Sequence, residues 1–247
     1  MKASAFEFRF RYLIHTIVYV LGFTTPWNKW LHLDTNPTWR LLVAWCVRQL
    51  RLNFGVASIA VLVLGILFAL VAAWLRTRGA AYLGSGVVKD SSMHGDTIVA
   101  AGPYRYMRNP LYLGTFLHTL ALALLMQPSG ALFSIVVIGL VQLRLIGGEE
   151  AFLSAKLGEP YRAYCAAVPR IVPSLRPRVP ESTAKPSWGL GFLGEIYMWG
   201  VVVAFVVFLV AAAAYGKYET FLIIQGVVVA LGVSLVARAF VPKPVEM

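Results

Sequence analysis

The chain has 247 residues, of which 59% are hydrophobic and only 13% charged, and its mean hydropathy is +0.71. Soluble domains carry about 25% charged residues, so this composition excludes a disordered chain and leaves too little polar surface to cover a water-soluble core. Twenty-two Lys and Arg against eleven Asp and Glu give a net charge of +11. Among long apolar runs, that excess marks cytoplasmic loops beside anionic lipid rather than a nucleic-acid surface.

Leu13 to Phe23 is apolar but short, with Arg9 and Arg11 before it and Pro26 behind it. It reads either as a span continuing to about Leu33 or as an interfacial helix. Trp39 to Leu52, carrying Arg40, Arg48 and Arg51, reads as an amphipathic helix at the interface. Phe54 to Leu75 is 22 residues without a charge, stopped by Arg76 and Arg78. At 1.5 Å per residue it crosses a hydrocarbon core of about 30 Å.

Leu111 to Met126 and Ala131 to Ile146 form a hairpin through Gln127-Pro128-Ser129-Gly130. Each arm is at the short limit for spanning, which suits a hairpin surrounded by protein. Pro173 to Ser187 is a proline-rich linker, and Ile196 to Tyr215 with Phe221 to Ala237 forms a last hairpin. The predicted fold is all-α, a polytopic transmembrane bundle of five or six spans. Residues 1–53 hold the N-terminal span or interfacial helices, 54–173 the core with the central hairpin, and 174–247 the linker and final hairpin.

With six crossings, seventeen basic residues fall on one side and five on the other. The bias places both termini and both long loops in the cytoplasm. Cys46 and Cys165 have neither metal-ligand spacing nor a disulfide framework, and no metal site is expected.

Two polar segments flank the central hairpin and should return to the same surface. The first runs from Thr97 through Gly102-Pro103-Tyr104 to Arg108-Asn109-Pro110-Leu111-Tyr112. The second holds Glu149-Glu150, then Gly158-Glu159-Pro160-Tyr161-Arg162-Ala163-Tyr164, ending at Val168-Pro169. Successive helical residues differ by about 100°, so one carboxylate of the Glu149-Glu150 pair can face a pocket while the other faces a basic loop. Carboxylates take an ammonium or ribose hydroxyl, arginines clamp a carboxylate, and tyrosines stack on a ring or a sulfonium. S-adenosylmethionine carries all of these groups, and lipid headgroups carry some.

The order G-P-Y-x-x-x-R-[HN]-P-x-Y-x-G, apolar hairpin, E-E-x-x-L and G-x-x-Y-x-x-Y-x-x-x-V-P resembles the isoprenylcysteine carboxyl methyltransferase family, with elements shared by phospholipid methyltransferases. The resemblance covers about Thr97 to Pro173, more loosely back through Phe54 to Leu75. It implies an integral membrane methyltransferase that uses S-adenosyl-L-methionine without a Rossmann domain, making 54–173 the methyltransferase core. By the resemblance, Ile98 and Val99 offer backbone contacts to the cofactor and Tyr104 lines its pocket. Asn109, Pro110, Leu111 and Tyr112 occupy the R-H-P-x-Y segment, and Glu149, with Glu150 beside it, is the cofactor-binding acid. Arg108 and Asn109 are the candidate catalytic residues.

Two departures bear on the acceptor. Asn109 stands where the family has a histidine, so any role for a protonatable imidazole there is lost. Leu145 stands where isoprenylcysteine enzymes place a basic residue four positions before the acid, and Arg144 points elsewhere on a helix. The implied acceptor is a lipidic or small apolar molecule from the membrane, a prenylcysteine-like carboxylate or a thiol. Phospholipid amine N-methylation, a nicotinamide-dependent membrane reductase and a non-catalytic scaffold are the competing readings.

Simpler roles are expected elsewhere. His118 lies inside a span, where ionisable groups are functional by default; the plainer expectation is a neutral ring bonded to a helix carbonyl. Tyr106, Tyr161 and Tyr164 are expected in the aromatic belt. Gly114 and Gly139 are expected to allow close helix approach, and Lys89, Asp90 and Asp96 to lie in a solvated loop.

Overall fold

The computed structural model describes residues 2–33, 36–83, 98–216 and 220–239. The loop holding Lys89, Asp90 and Asp96 lies outside the described residues. Helices α1 (Ala5–Arg9), α2 (Arg11–Thr24), α3 (Asn28–Leu31), α4 (Thr38–Gln49) and α5 (Phe54–Leu83) precede a 3-10 turn at Gly102–Arg105. Helices α6 (Pro110–Ala123), α7 (Pro128–Leu157), α8 (Glu159–Ala167), α9 (Trp188–Gly194), α10 (Ile196–Tyr215) and α11 (Thr220–Ala239) follow, and no strand occurs among the described residues.

Helices α5 and α7 have 30 residues each, about 45 Å of rise. With α10 they are, among the described residues, the three helices long and apolar enough to cross a membrane; α6 and α11 are shorter apolar helices. Arg76 does not end its span as expected. No proline interrupts α5, and the charge is buried and neutralised from α10, so the helix continues to Leu83. Helix α7 likewise continues past Ile146, carrying Glu149 and Glu150 on the same rigid rod. Pro110 and Pro128 each sit at the first helical position, where a missing amide hydrogen costs nothing.

The N-terminal segment does not continue as one helix to Leu33. It stops at Thr25, whose φ of 37° is left-handed, just before Pro26, which disfavours the helical conformation in the preceding residue. Helix α2 still packs along the first half of α7, antiparallel to it. At one end the Ala3 amide donates to the Arg144 carbonyl (2.8 Å), and Arg144 clasps Glu7 through two bonds of 2.7 and 2.9 Å. At the other, Trp27 Nε1 donates to Ser129 Oγ (3.0 Å).

Helix α4 closes that second end of the bundle. The Thr38 and Trp39 amides donate to the Met126 and Leu124 carbonyls (2.8 Å each), and buried Trp39 donates through Nε1 to Thr220 Oγ1 (2.8 Å). Leu62, Val201, Phe205 and Ile223 complete the apolar core between α5, α10 and α11. Outside it, Leu67, Val71, Leu140, Val203, Val207 and Val229 are all at least 44% exposed. So much exposed aliphatic surface on long helices is a face for lipid, not water. The protein is a helical membrane bundle.

Candidate active site

The two polar segments meet at one foot of the α6–α7 hairpin. Gly102, with φ 53°, makes the turn into the 3-10 segment, and an added Cβ would lie 2.3 Å from the Tyr82 ring. The loop is held from two sides. The Arg108 amide donates to the Pro169 carbonyl (2.8 Å), and Tyr164 Oη donates to the Tyr104 carbonyl (2.7 Å). The proline-rich segment after α8 then runs back along it. Ser174, Arg178 and Ser182 donate amides to the carbonyls of Tyr106, Arg105 and Ala100 at 2.9 to 3.0 Å. A stretch that reads as a free linker is therefore a strap over the motif loop.

The adjacent acids divide as helical geometry requires. Glu150 is buried beneath the loop, where it forms ion pairs with Arg108 (3.2 Å) and Arg170 and accepts from Asn109 Nδ2 (3.4 Å). Arg108 Nη1 also donates to the Cys165 carbonyl (2.7 Å), and Asn109 Nδ2 to the Arg170 carbonyl (3.0 Å). Arg108 and Asn109 thus tie the loop both to α7 and to the segment from Cys165 to Arg170. Glu149, one residue earlier, accepts from Tyr112 Oη (2.7 Å) and lines a cavity.

That cavity has a volume of about 1270 Å³, above the ~300–1,000 Å³ typical of a pocket for one small molecule. Ile98, Val99, Tyr104 and the run from Arg108 to Tyr112 line it from the loop and α6, and Glu149 and Glu150 from α7. Each candidate catalytic or cofactor-binding residue named from the resemblance lines this one cavity. Tyr161 and Tyr164 belong to it too, buried rather than in an aromatic belt. Burial pushes the Tyr104 and Tyr164 phenols up, so both stay neutral donors. Gly114 serves a close approach as expected, an added Cβ lying 2.6 Å from Arg76 Cγ; at Gly139 the nearest atom is 3.5 Å away.

Two parts of the wall have no precedent in the motif. Helix α2 contributes Tyr19 and Phe23, and the last hairpin contributes Glu195, Tyr197, Met198 and Val227. Helices α2 and α11 border the cavity without packing closely on each other among the described residues. Glu195 binds Arg76 through Nε (2.6 Å) and Nη2 (2.9 Å), while Arg76 Nη1 donates to Thr115 Oγ1 (2.7 Å). Sequence reading missed this pair because its members are 119 positions apart. The one available signal was a lone acid, Glu195, at the head of an apolar run.

The family model for phospholipid methyltransferases matches residues 56–159. The match starts further back than the motifs and stops short of Tyr161, Tyr164 and the strap. No curated protein and no solved structure matches the chain. The segment that forms α5, the motif loop, α6 and α7 is thus similar to phospholipid methyltransferases, a family whose likeness implies methyltransferase activity in a membrane.

Proposed function

We propose that the protein transfers a methyl group from S-adenosylmethionine to an apolar acceptor drawn from the bilayer, at the cytoplasmic face of the membrane. The observation that carries this reading is the single cavity on which the motif loop, Glu149 and the intramembrane walls converge. Its chemistry fits the donor. Glu149 supplies a carboxylate for an ammonium or ribose hydroxyl, buried tyrosines supply faces for a ring and a sulfonium, and the volume leaves room for a second molecule. Ile98, Val99, Tyr104, Pro110, Leu111 and Tyr112 form the remaining contact surface, and Glu150 positions the loop through Arg108 and Asn109.

S-adenosylmethionine supplies an already activated methyl group. What the chain contributes is alignment and exclusion of water, together able to lower a barrier by roughly 7–11 kcal/mol. The strap and α8 close the loop side against solvent, and the gap between α2 and α11 gives a lipidic acceptor a sideways path. The basic bias of the loops supports a cytoplasmic orientation for this foot and for both termini.

Calorimetry in detergent or nanodiscs tests the reading. S-adenosylhomocysteine is expected to bind the wild type, with affinity falling at least tenfold in Glu149→Gln and in Tyr104→Ala while both variants stay folded. Binding of NADPH in its place would overturn the assignment in favour of a reductase.

A further inference from the structure

His118 lies on the cavity wall six residues beyond Tyr112 in α6, about 9 Å deeper along the helix axis. The expected bond from its ring to a helix carbonyl is not made. Nδ1 is fully enclosed and has no hydrogen-bond partner among the described residues. The ring stands edge-on to Tyr19 of α2 (6.5 Å, 77°) and to Tyr197 of α10 (6.3 Å, 81°). Leaving a buried polar group unpaired costs about 1–3 kcal/mol, and such a group in a native fold calls for an explanation.

The cations around it are already engaged. Three arginines line the cavity. Arg76 holds Glu195, and Arg108 holds Glu150 and the Cys165 carbonyl. Arg11 donates to the Phe8 carbonyl (2.9 Å) and lies over the Phe8 and Tyr12 rings. Among the described residues each arginine of this wall already holds a partner, so a carboxylate acceptor entering the chamber has to compete for its cation, and an unpaired buried anion is strongly disfavoured. With Nδ1 enclosed, Nε2 is the ring nitrogen left to meet a neutral acceptor carrying a proton on its heteroatom.

We infer that His118 is the residue that accepts the acceptor's proton, and that the chamber selects neutral thiol or amine acceptors on an apolar chain over carboxylates. The inference rests on the methyl-transfer reading above and supplies the imidazole that Asn109 removes from the motif. The acceptor's S–H or N–H bond breaks as its proton passes to the ring. The heteroatom's electron pair forms the new bond to the methyl carbon, and the electrons of the old methyl–sulfonium bond stay on the departing sulfur. Methylated acceptor, neutral thioether and imidazolium result, and the imidazolium returns its proton to water through the cavity mouth.

The test uses full-length protein in nanodiscs with dodecanethiol, dodecylamine, dodecanoate and para-octylthiophenol as probes. Wild type is expected to methylate dodecanethiol or dodecylamine well above dodecanoate. His118→Gln is expected to lose at least tenfold on that substrate, within the ~10²–10⁴ of general base catalysis. The same variant should lose far less on para-octylthiophenol, which arrives already ionised at pH 8 and needs no base. S-adenosylhomocysteine affinity should be unchanged in His118→Gln and His118→Asn, showing that both fold. The rise in Tm that dodecanethiol gives the wild type should shrink in both.

Equal losses on alkyl and aryl thiols would mark His118 as structural and overturn the inference. So would unchanged rates, preference for dodecanoate, or no turnover of any probe by cofactor-bound wild type. Failure of the wild type to bind S-adenosylhomocysteine sinks the methyl-transfer reading instead, and the dodecanethiol Tm shift then still reports on His118.

Discussion

Glu195→Gln isolates the contribution of the Arg76 clasp. The substitution keeps the size of the side chain and removes its charge, leaving a guanidinium that is 8% exposed without its counter-ion. Breaking one side of a buried ion pair costs about 3–5 kcal/mol. Polar contacts between membrane helices average only about 0.6 kcal/mol, so the two cases are separable by experiment. In a chain of this length about 1 kcal/mol moves Tm by roughly 2–4 °C, and the expected fall is about 6–20 °C by thermal unfolding in nanodiscs. The double variant Arg76→Met/Glu195→Leu removes both charges and should recover most of the loss, because a well-packed apolar pair is often as stable as the ion pair it replaces. A Glu195→Gln protein within about 2 °C of wild type would refute the reasoning, as would a double variant no better than the single.

Glu150→Gln should free the motif loop from Arg108 and Arg170; limited proteolysis is expected to cut faster at residues 98–109, with weaker S-adenosylhomocysteine binding. Gly130→Ala places a Cβ 2.0 Å from the Gly22 carbonyl oxygen and should push α2 off α7, lowering stability by about 1–3 kcal/mol. Gly232→Ala in α11, where nothing lies within 4 Å, is the control and should be neutral or stabilising by up to about 1 kcal/mol. The Glu7 carboxyl is held down at about 2 from an ordinary 4.5, chiefly by the hydrogen bond from Arg144. A depressed acid stabilises above its unfolded value and loses that contribution as pH falls through its folded one. Docking of α1 should therefore persist down to about pH 4.5 and be released toward pH 2, with hydrogen exchange at residues 4–10 as the readout and Glu7→Gln abolishing the transition.

The helices that cross the bilayer, the hairpin and the meeting of its two polar feet were legible in the chain itself. Apolar run length answers directly to membrane thickness, and a proline at a first helical turn acts locally. The division of Glu149 from Glu150 followed from the 100° step between helical neighbours. What local pattern misreads is a charge whose partner is distant. Arg76 looks like the end of a span because its counter-ion is Glu195, brought beside it only when α10 packs on α5. The strap, the α2 wall and the unpaired ring of His118 are likewise decided by tertiary packing. Each depends on which surfaces of separate helices meet around the cavity, and that arrangement is settled by shape and by burial of charge, neither of which leaves a periodic trace along the sequence.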